Sequence, residues 1–177
     1  RYFGLLEFKK NLFSLTEFGI NYAKSNKLSQ KIDILFDAIE TIPFGRGNNA
    51  VSSDSNIEPP IVFLKMLKDL QSCSITQFGC MLFYLEVLSK DYQIAIKDIE
   101  KNANINLEKE NIRKKGGGKF FDPKFHLFFE SLGLIEIIPN SRNYQLSNYV
   151  KSKYGEFIDD LVVLNAKENK YQVPNFQ

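Results

Sequence analysis

Two stretches, one near each end of the chain, follow the same short pattern, and a repeat constrains a fold more tightly than composition does. The first runs Phe3-Gly4-Leu5-Leu6-Glu7-Phe8, a basic turn Lys9-Lys10-Asn11, then Leu12-Phe13-Ser14-Leu15-Thr16 and a helix-like run from Glu17 to Lys24. The second runs Leu132-Gly133-Leu134-Ile135-Glu136-Ile137-Ile138, a turn Pro139-Asn140-Ser141-Arg142-Asn143, then Tyr144-Gln145-Leu146-Ser147 and another helix start. Gly4 aligns with Gly133, Glu7 with Glu136, Leu15 with Leu146 and Thr16 with Ser147. Each copy reads as a helix ended by glycine, a β-hairpin with a polar tip, and a Ser or Thr that caps the next helix. Two unrelated hairpins would leave the same short strings, because such strings commonly follow helices.

Between the hairpins the apolar spacing is helical, with the i, i+3, i+4, i+7 set recurring. It appears at Ile32, Leu35, Phe36, Ile39; at Phe63, Met66, Leu67, Leu70; and at Phe78, Met81, Leu82, Leu85. It appears again at Tyr92, Ala95, Ile96, Ile99 and at Phe125, Phe128, Phe129, Leu132. The ends are marked as well. Ser29 is placed to cap the first helix, which should stop near Ile42 ahead of Pro43; Pro59-Pro60 opens the second; Ser74 or Thr76 caps the third; Asp91 caps the fourth; Asp122-Pro123 opens the last. Residues 44–56 are rich in turn formers and read as a linker or surface loop. Asn104 to Lys115 is weakly helical and highly charged, and Glu156 to Lys167 reads as a further amphipathic helix.

Helices followed by a hairpin wing spell a winged helix enlarged by insertion, with Asp122 to Leu132 in the recognition-helix position. The expected fold class is therefore mainly α with small β-hairpins, a tandem winged helix. Residues 1–26 form the end of a first module, 27–58 a connecting helix and loop, 59–150 a second module and 151–177 a helical tail. On this reading the helices of the first module lie upstream of Arg1.

The 177 residues, 44% hydrophobic and 25% charged, exclude disorder and a collagen-like chain. The core should be aromatic, with 16 Phe, 8 Tyr and no Trp. No apolar run reaches the roughly 18–20 residues that span a bilayer, and the first residues are not a signal peptide, so a cytoplasmic protein without a membrane partner is expected. Cys73, Cys80 and the single histidine, His126, are too few for a disulfide framework or a four-ligand zinc site. Both cysteines flank apolar helix positions and read as buried small hydrophobes.

A net charge of +2 says little, but its distribution says more. Arg113, Lys114, Lys115, Lys119 and Lys124 stand against Asp122 alone just before the last helix. Cations gathered there suit phosphates and counterion release. Gly116-Gly117-Gly118 would bring backbone N–H groups close to a phosphate, with Gly117 at the centre and the dipole of the following helix adding to the effect. The hairpin tips supply Lys9, Lys10 and Asn11 in one copy, and Arg142 and Asn143 in the other. On the last helix Lys124, His126 and Glu130 point away from the apolar stripe. The same basic loop also reads as a solvated surface loop, and His126 as a solvated helix residue.

No nucleophile triad assembles around one histidine. The nearest approach to a metal-dependent nuclease set is Asp160 with Glu168 and Lys170, loosely of the Asp…Glu-x-Lys type. Helical spacing at Phe157, Ile158, Leu161 and Leu164 favours a charged amphipathic helix there instead. No resident metal is expected in the segment.

The order of motifs resembles the DNA-recognition region of FokI-like type IIS restriction endonucleases. The strings that carry it are Gly4-Leu-Leu-Glu with Phe13-Ser-Leu-Thr-Glu-Phe-Gly-Ile-Asn-Tyr-Ala-Lys-Ser25, the helix from Ile32 to Ile39, Pro59-Pro60, Ile75-Thr-Gln-Phe-Gly, Ile112-Arg-Lys-Lys and Phe125 to Ile135. They cover about residues 3 to 150, and each is short. The resemblance implies sequence-specific recognition of double-stranded DNA by tandem winged-helix subdomains. Cleavage would then belong to a PD-(D/E)xK nuclease domain elsewhere that uses Mg²⁺; no such domain is visible here. Self-association on DNA fits the same reading. Two alternatives stay open: a non-enzymatic transcription regulator or plasmid replication initiator built on the same wings, and wings that contact protein rather than DNA.

Overall fold

Over residues 5–9, 12–41 and 57–167, which the computed structural model describes, the protein is mainly helical with two small antiparallel sheets. The chain divides into two units, Arg1–Asp54 and Ser55–Gln177.

In the first unit, strands β1 (Leu6–Lys9) and β2 (Leu12–Leu15) pair with Leu6 opposite Leu15 and Phe8 opposite Phe13. The Thr16 amide donates to the Leu5 carbonyl at 3.1 Å and closes the base of the hairpin. Its hydroxyl accepts from the Gly19 amide at 3.1 Å, and so caps α1 (Glu17–Lys24). Helix α2 (Leu28–Thr41) buries Ile32, Leu35, Phe36 and Ala38 along one stripe. Ser29 lies inside α2 and does not cap it. The turn ahead of the helix is held instead by Ser25, whose hydroxyl donates to Gln30 Oε1 at 3.2 Å, so the helix starts at Leu28. Gly4, Lys10, Asn11, Ile42 and the 44–56 segment lie outside the described residues.

The second unit runs α3 (Pro59–Asp69), β3 (Cys73–Ser74), α4 (Ile75–Glu86), α5 (Tyr92–Lys101), α6 (Ile105–Lys114), a 3-10 turn (Gly117–Phe121), α7 (Phe125–Ser131), β4 (Ile135–Ile137), β5 (Asn143–Leu146) and α8 (Asn148–Asp160). Its starts follow the expected chemistry. Prolines occupy the first positions of α3. Ser74 and Gln77 form a capping box, the Gln77 amide donating to Ser74 Oγ at 3.1 Å and the Ser74 amide to Gln77 Oε1 at 2.8 Å. Asp91 accepts from the amides of Gln93 and Ile94 to cap α5. Helix α4 is the core element, with Phe78, Cys80, Met81 and Leu85 fully buried, and α3, α5, α6 and the 3-10 turn all pack on it. The Phe63 and Phe78 rings of α3 and α4 meet edge to face at 4.9 Å.

Strand β5 lies between β3 and β4, all antiparallel, with Cys73 opposite Tyr144 and Ile135 opposite Leu146. Gly133, at φ +66°, ends α7: its amide donates to the Glu130 carbonyl and the Leu134 amide to the Phe129 carbonyl, a Schellman closure. At the base of this hairpin the Ser147 amide donates to the Leu134 carbonyl at 2.9 Å, and Ser147 Oγ accepts from the Val150 amide to cap α8. These are the bonds Thr16 makes in the first unit. The two hairpins thus share register, closing bond and capping residue.

The bounds of two expected helices change. Helix α7 begins at Phe125, not Asp122, because Gly117–Phe121 winds into a 3-10 turn that sinks Phe120 into the core and leaves Asp122 as its end, at φ −129°, ψ 50°. Helix α8 starts at Asn148 and stops at Asp160, so of the helix expected over 156–167 only residues 156–160, the end of α8, are helical. Leu161 turns extended, and the Ala166 amide reaches the Leu85 carbonyl at the end of α4. Strand β3 has no counterpart among the sequence expectations, since two residues are too few to alternate.

Candidate nucleic-acid interface

The basic segment before α7 is an ordered feature built on aromatic rings. Gly116, at φ +82°, is the left-handed residue that ends α6 and starts the 3-10 turn. Gly117 is buried: a Cβ there would overlap Ile112 and crowd Phe83, so this glycine serves close packing. Gly118 is exposed with open space around it. The turn delivers Phe120 into the core beside Phe83, with ring centroids 5.8 Å apart, and lays Phe121 against Gly79 of α4.

Cations gather on these two rings. Lys109 Nζ lies 5.7 Å and Arg113 Cζ 5.9 Å from the Phe121 centroid, and Lys119 Nζ lies 4.9 Å from the Phe120 centroid. All three fall within the usual cation–π range of about 6 Å. Two are also ion-paired. Arg113 Nη1 meets Glu110 Oε1 at 3.2 Å, and Lys119 Nζ meets Glu86 Oε1 at 3.0 Å. The charge of Lys119 is therefore opposed by a mostly buried carboxylate. Lys114 and Lys115, at the end of α6, are exposed, and no ion pair to them is found among the described residues.

A second group surrounds α7 and the hairpin. Lys124, at the N-cap position of α7, and Arg142, in the hairpin turn, are exposed and carry no ion pair among the described residues. Asn143 opens β5; its carbonyl accepts from the Ile138 amide at 2.9 Å and its own amide donates to Ser141 Oγ. His126 differs from its expected outward orientation. It is half-buried, its ring lies edge-on to Tyr144 at 5.5 Å, and its Nδ1 is buried without a hydrogen-bond partner among the described residues. Glu130 is exposed; burial first and its charge second push the Tyr144 hydroxyl above its ordinary value. Lys9 ends β1 opposite Leu12.

Arg113 and Lys119 thus converge on the Phe120–Phe121 pair, and His126 joins Asn143 through the neighbouring Tyr144. Lys109 was missed from sequence. Its only signal is the i, i+4 spacing to Arg113, which places both on one side of α6.

Asp160 is exposed at the end of α8, while Glu168 and Lys170 lie outside the described residues. Its neighbour Asp159 is engaged with α3: Lys68 Nζ pairs with its carboxylate, and the buried Lys65 donates to its carbonyl at 2.7 Å. Among the described residues no three His, Cys, Asp or Glu side chains are gathered to hold a metal ion, and no helix is long and apolar enough to cross a membrane. Both cysteines are buried, and burial drives their thiols upward, Cys80 to about 12. A thiolate nucleophile is thereby disfavoured at neutral pH. Comparison with protein-family models, curated proteins and solved structures finds nothing that matches the chain.

Proposed function

We propose that the chain is a winged-helix segment that recognises double-stranded DNA, and that it serves as the recognition part of a type II restriction endonuclease. The observation that carries the fold reading is connectivity: α3, β3, α4, then α7, β4, β5, with β5 between the other two strands. This order supports a winged-helix reading, in which α5, α6 and the 3-10 turn would be an insertion and α7 would take the recognition-helix position. The exposed cations Lys114, Lys115, Lys124 and Arg142 support the DNA reading, since they have no carboxylate partner among the described residues to compete with a phosphate. The endonuclease assignment rests on the motif order alone. In that role the chain orients a separate nuclease domain, which would bring Mg²⁺ and the cut.

The test is duplex binding by the wild-type chain and by a K114A/K115A/K124A/R142A variant across a salt series. The variant should bind more weakly and lose about one unit of salt slope for each phosphate contact removed. Unchanged affinity in a folded variant rejects the DNA reading. Selection from random duplexes then separates the roles: a short asymmetric consensus supports the endonuclease, and a palindromic one a dimeric regulator.

A further inference from the structure

Helix α7 buries one side and leaves the other bare. Phe129 and Leu132 are 0% and 7% exposed, whereas Lys124, Leu127, Glu130 and Ser131 are exposed. At about 3.6 residues per turn these four lie along one stripe opposite the core. The Ser131 hydroxyl donates to the Phe128 carbonyl at 2.8 Å and is engaged within the helix. Leu127, 57% exposed, and Glu130, with no ion pair among the described residues, remain. A lone exposed leucine is ordinary, but the charges around this one are informative. Lys124 and Arg142, also without ion pairs among the described residues, stand at the start of α7 and in the hairpin turn, and the contact of His126 with Tyr144 brings that end of the helix beside the hairpin. Such cations suit phosphates, and a carboxylate on the same stripe repels them. Glu130 therefore has a place on a DNA-facing surface only where it meets a base edge. In the major groove the edge that donates without accepting is the cytosine amino group, and the apolar feature is the thymine methyl.

We propose that α7 reads a cytosine through Glu130 and a thymine through Leu127. The inference rests on the DNA reading above and adds to it the bases selected. Residues three apart on a helix rise about 4.5 Å, close to the ~3.4 Å step between bases, so the two contacts fall on neighbouring base pairs. Lys124 and Arg142 hold the backbone and carry no sequence information.

Selection from random duplexes with the wild-type chain should give a site in which a cytosine–guanine and a thymine–adenine pair are neighbours. Glu130→Gln installs the side chain that pairs with adenine, so the selected cytosine should change to adenine. On that changed site the wild-type chain should lose at least about fivefold in affinity. Deoxyuridine in place of the selected thymidine removes the methyl group alone and should weaken wild-type binding about fourfold, the share of one buried carbon. Leu127→Ser should bind both duplexes equally. The deoxyuridine comparison on the wild-type chain needs no variant. K124A/R142A should instead weaken every duplex alike and leave the selected site as it is. A Glu130→Gln chain that selects the wild-type site, or a wild-type chain indifferent to the thymine methyl, overturns the inference and leaves the DNA reading standing, because duplex is still bound. A wild-type chain that binds no duplex overturns both.

Discussion

Gly79 occupies the side of α4 that receives the 3-10 turn, and the Phe121 ring lies where its Cβ would be. A glycine inside a helix costs about 0.5–1 kcal/mol relative to alanine, so propensity alone favours Gly79→Ala. Close packing decides the other way, because the methyl group meets both the ring and the Phe120 carbonyl. Gly79→Ala should therefore destabilise the protein by about 1–3 kcal/mol, the usual cost of overpacking, in urea unfolding. The same substitution should loosen Lys109 and Arg113, which rest on that ring. A variant as stable as the wild type would show that Phe121 is not seated on α4. Nothing in the residue string around Gly79 marks it, since Ile75-Thr-Gln-Phe-Gly reads as a plain helix start.

Among the elements, α8 depends on α3 through a buried lysine. Lys65 Nζ donates to the Asp159 carbonyl at 2.7 Å, one of the last-turn carbonyls that a helix leaves unpaired, and lies 3.7 Å from Asp69. Tyr92 of α5 donates to the same Asp69 at 2.8 Å, so three helices share one polar cluster. Lys65→Met keeps most of the apolar volume and removes the charge-assisted donor. It should cost about 1–3 kcal/mol, the range for losing a hydrogen bond from a charged donor, and should appear in amide exchange as fraying of the last turn of α8. An unaltered end of α8 would count against the lysine as its anchor. The hairpins and most helix starts were legible in the chain because they rest on local chemistry: Pro59-Pro60, the Ser74–Gln77 box, Asp91, and Gly133 with Ser147. The start of α7 was not legible, because Asp122-Pro123 carries a good cap signal while the pull on Phe120 and Phe121 comes from α4, distant in sequence. The extended stretch after Asp160 escaped for a similar reason. Its amphipathic spacing is helical, but the Ala166 amide takes its partner from the end of α4. Of the candidate interface, the cations were readable and their neutralisation was not, since Glu86 reaches Lys119 across the fold.

At the scale of the molecule, the protonated groups that burial holds back from ionising are concentrated in one unit. Burial is the largest cause raising the thiols of Cys73 and Cys80 and the hydroxyls of Tyr84 and Tyr92, with Glu108 and Asp69 opposing the tyrosinate charges. In the first unit Tyr22 alone is raised among the described residues, also by burial. The consequence for stability has a definite sign. Each group binds its proton more tightly when folded than when unfolded, so above the unfolded value the native state holds more protons and stability falls with rising pH. For Cys80 the contribution is whole below its ordinary 9.0 and is lost as the pH climbs toward about 12. The second unit should therefore hold a level urea midpoint from neutral pH to about pH 9 and lose it steeply above that. Cys73→Ala and Cys80→Ala together should flatten the first part of the decline at some cost in core packing, leaving the tyrosines to govern the remainder. Urea titrations from pH 7 to pH 11, followed by a probe in α4, check this. A midpoint that stays level through pH 11 would mean that the core around α4 admits the ionised groups, and that it is more open to water than its buried thiols and rings indicate.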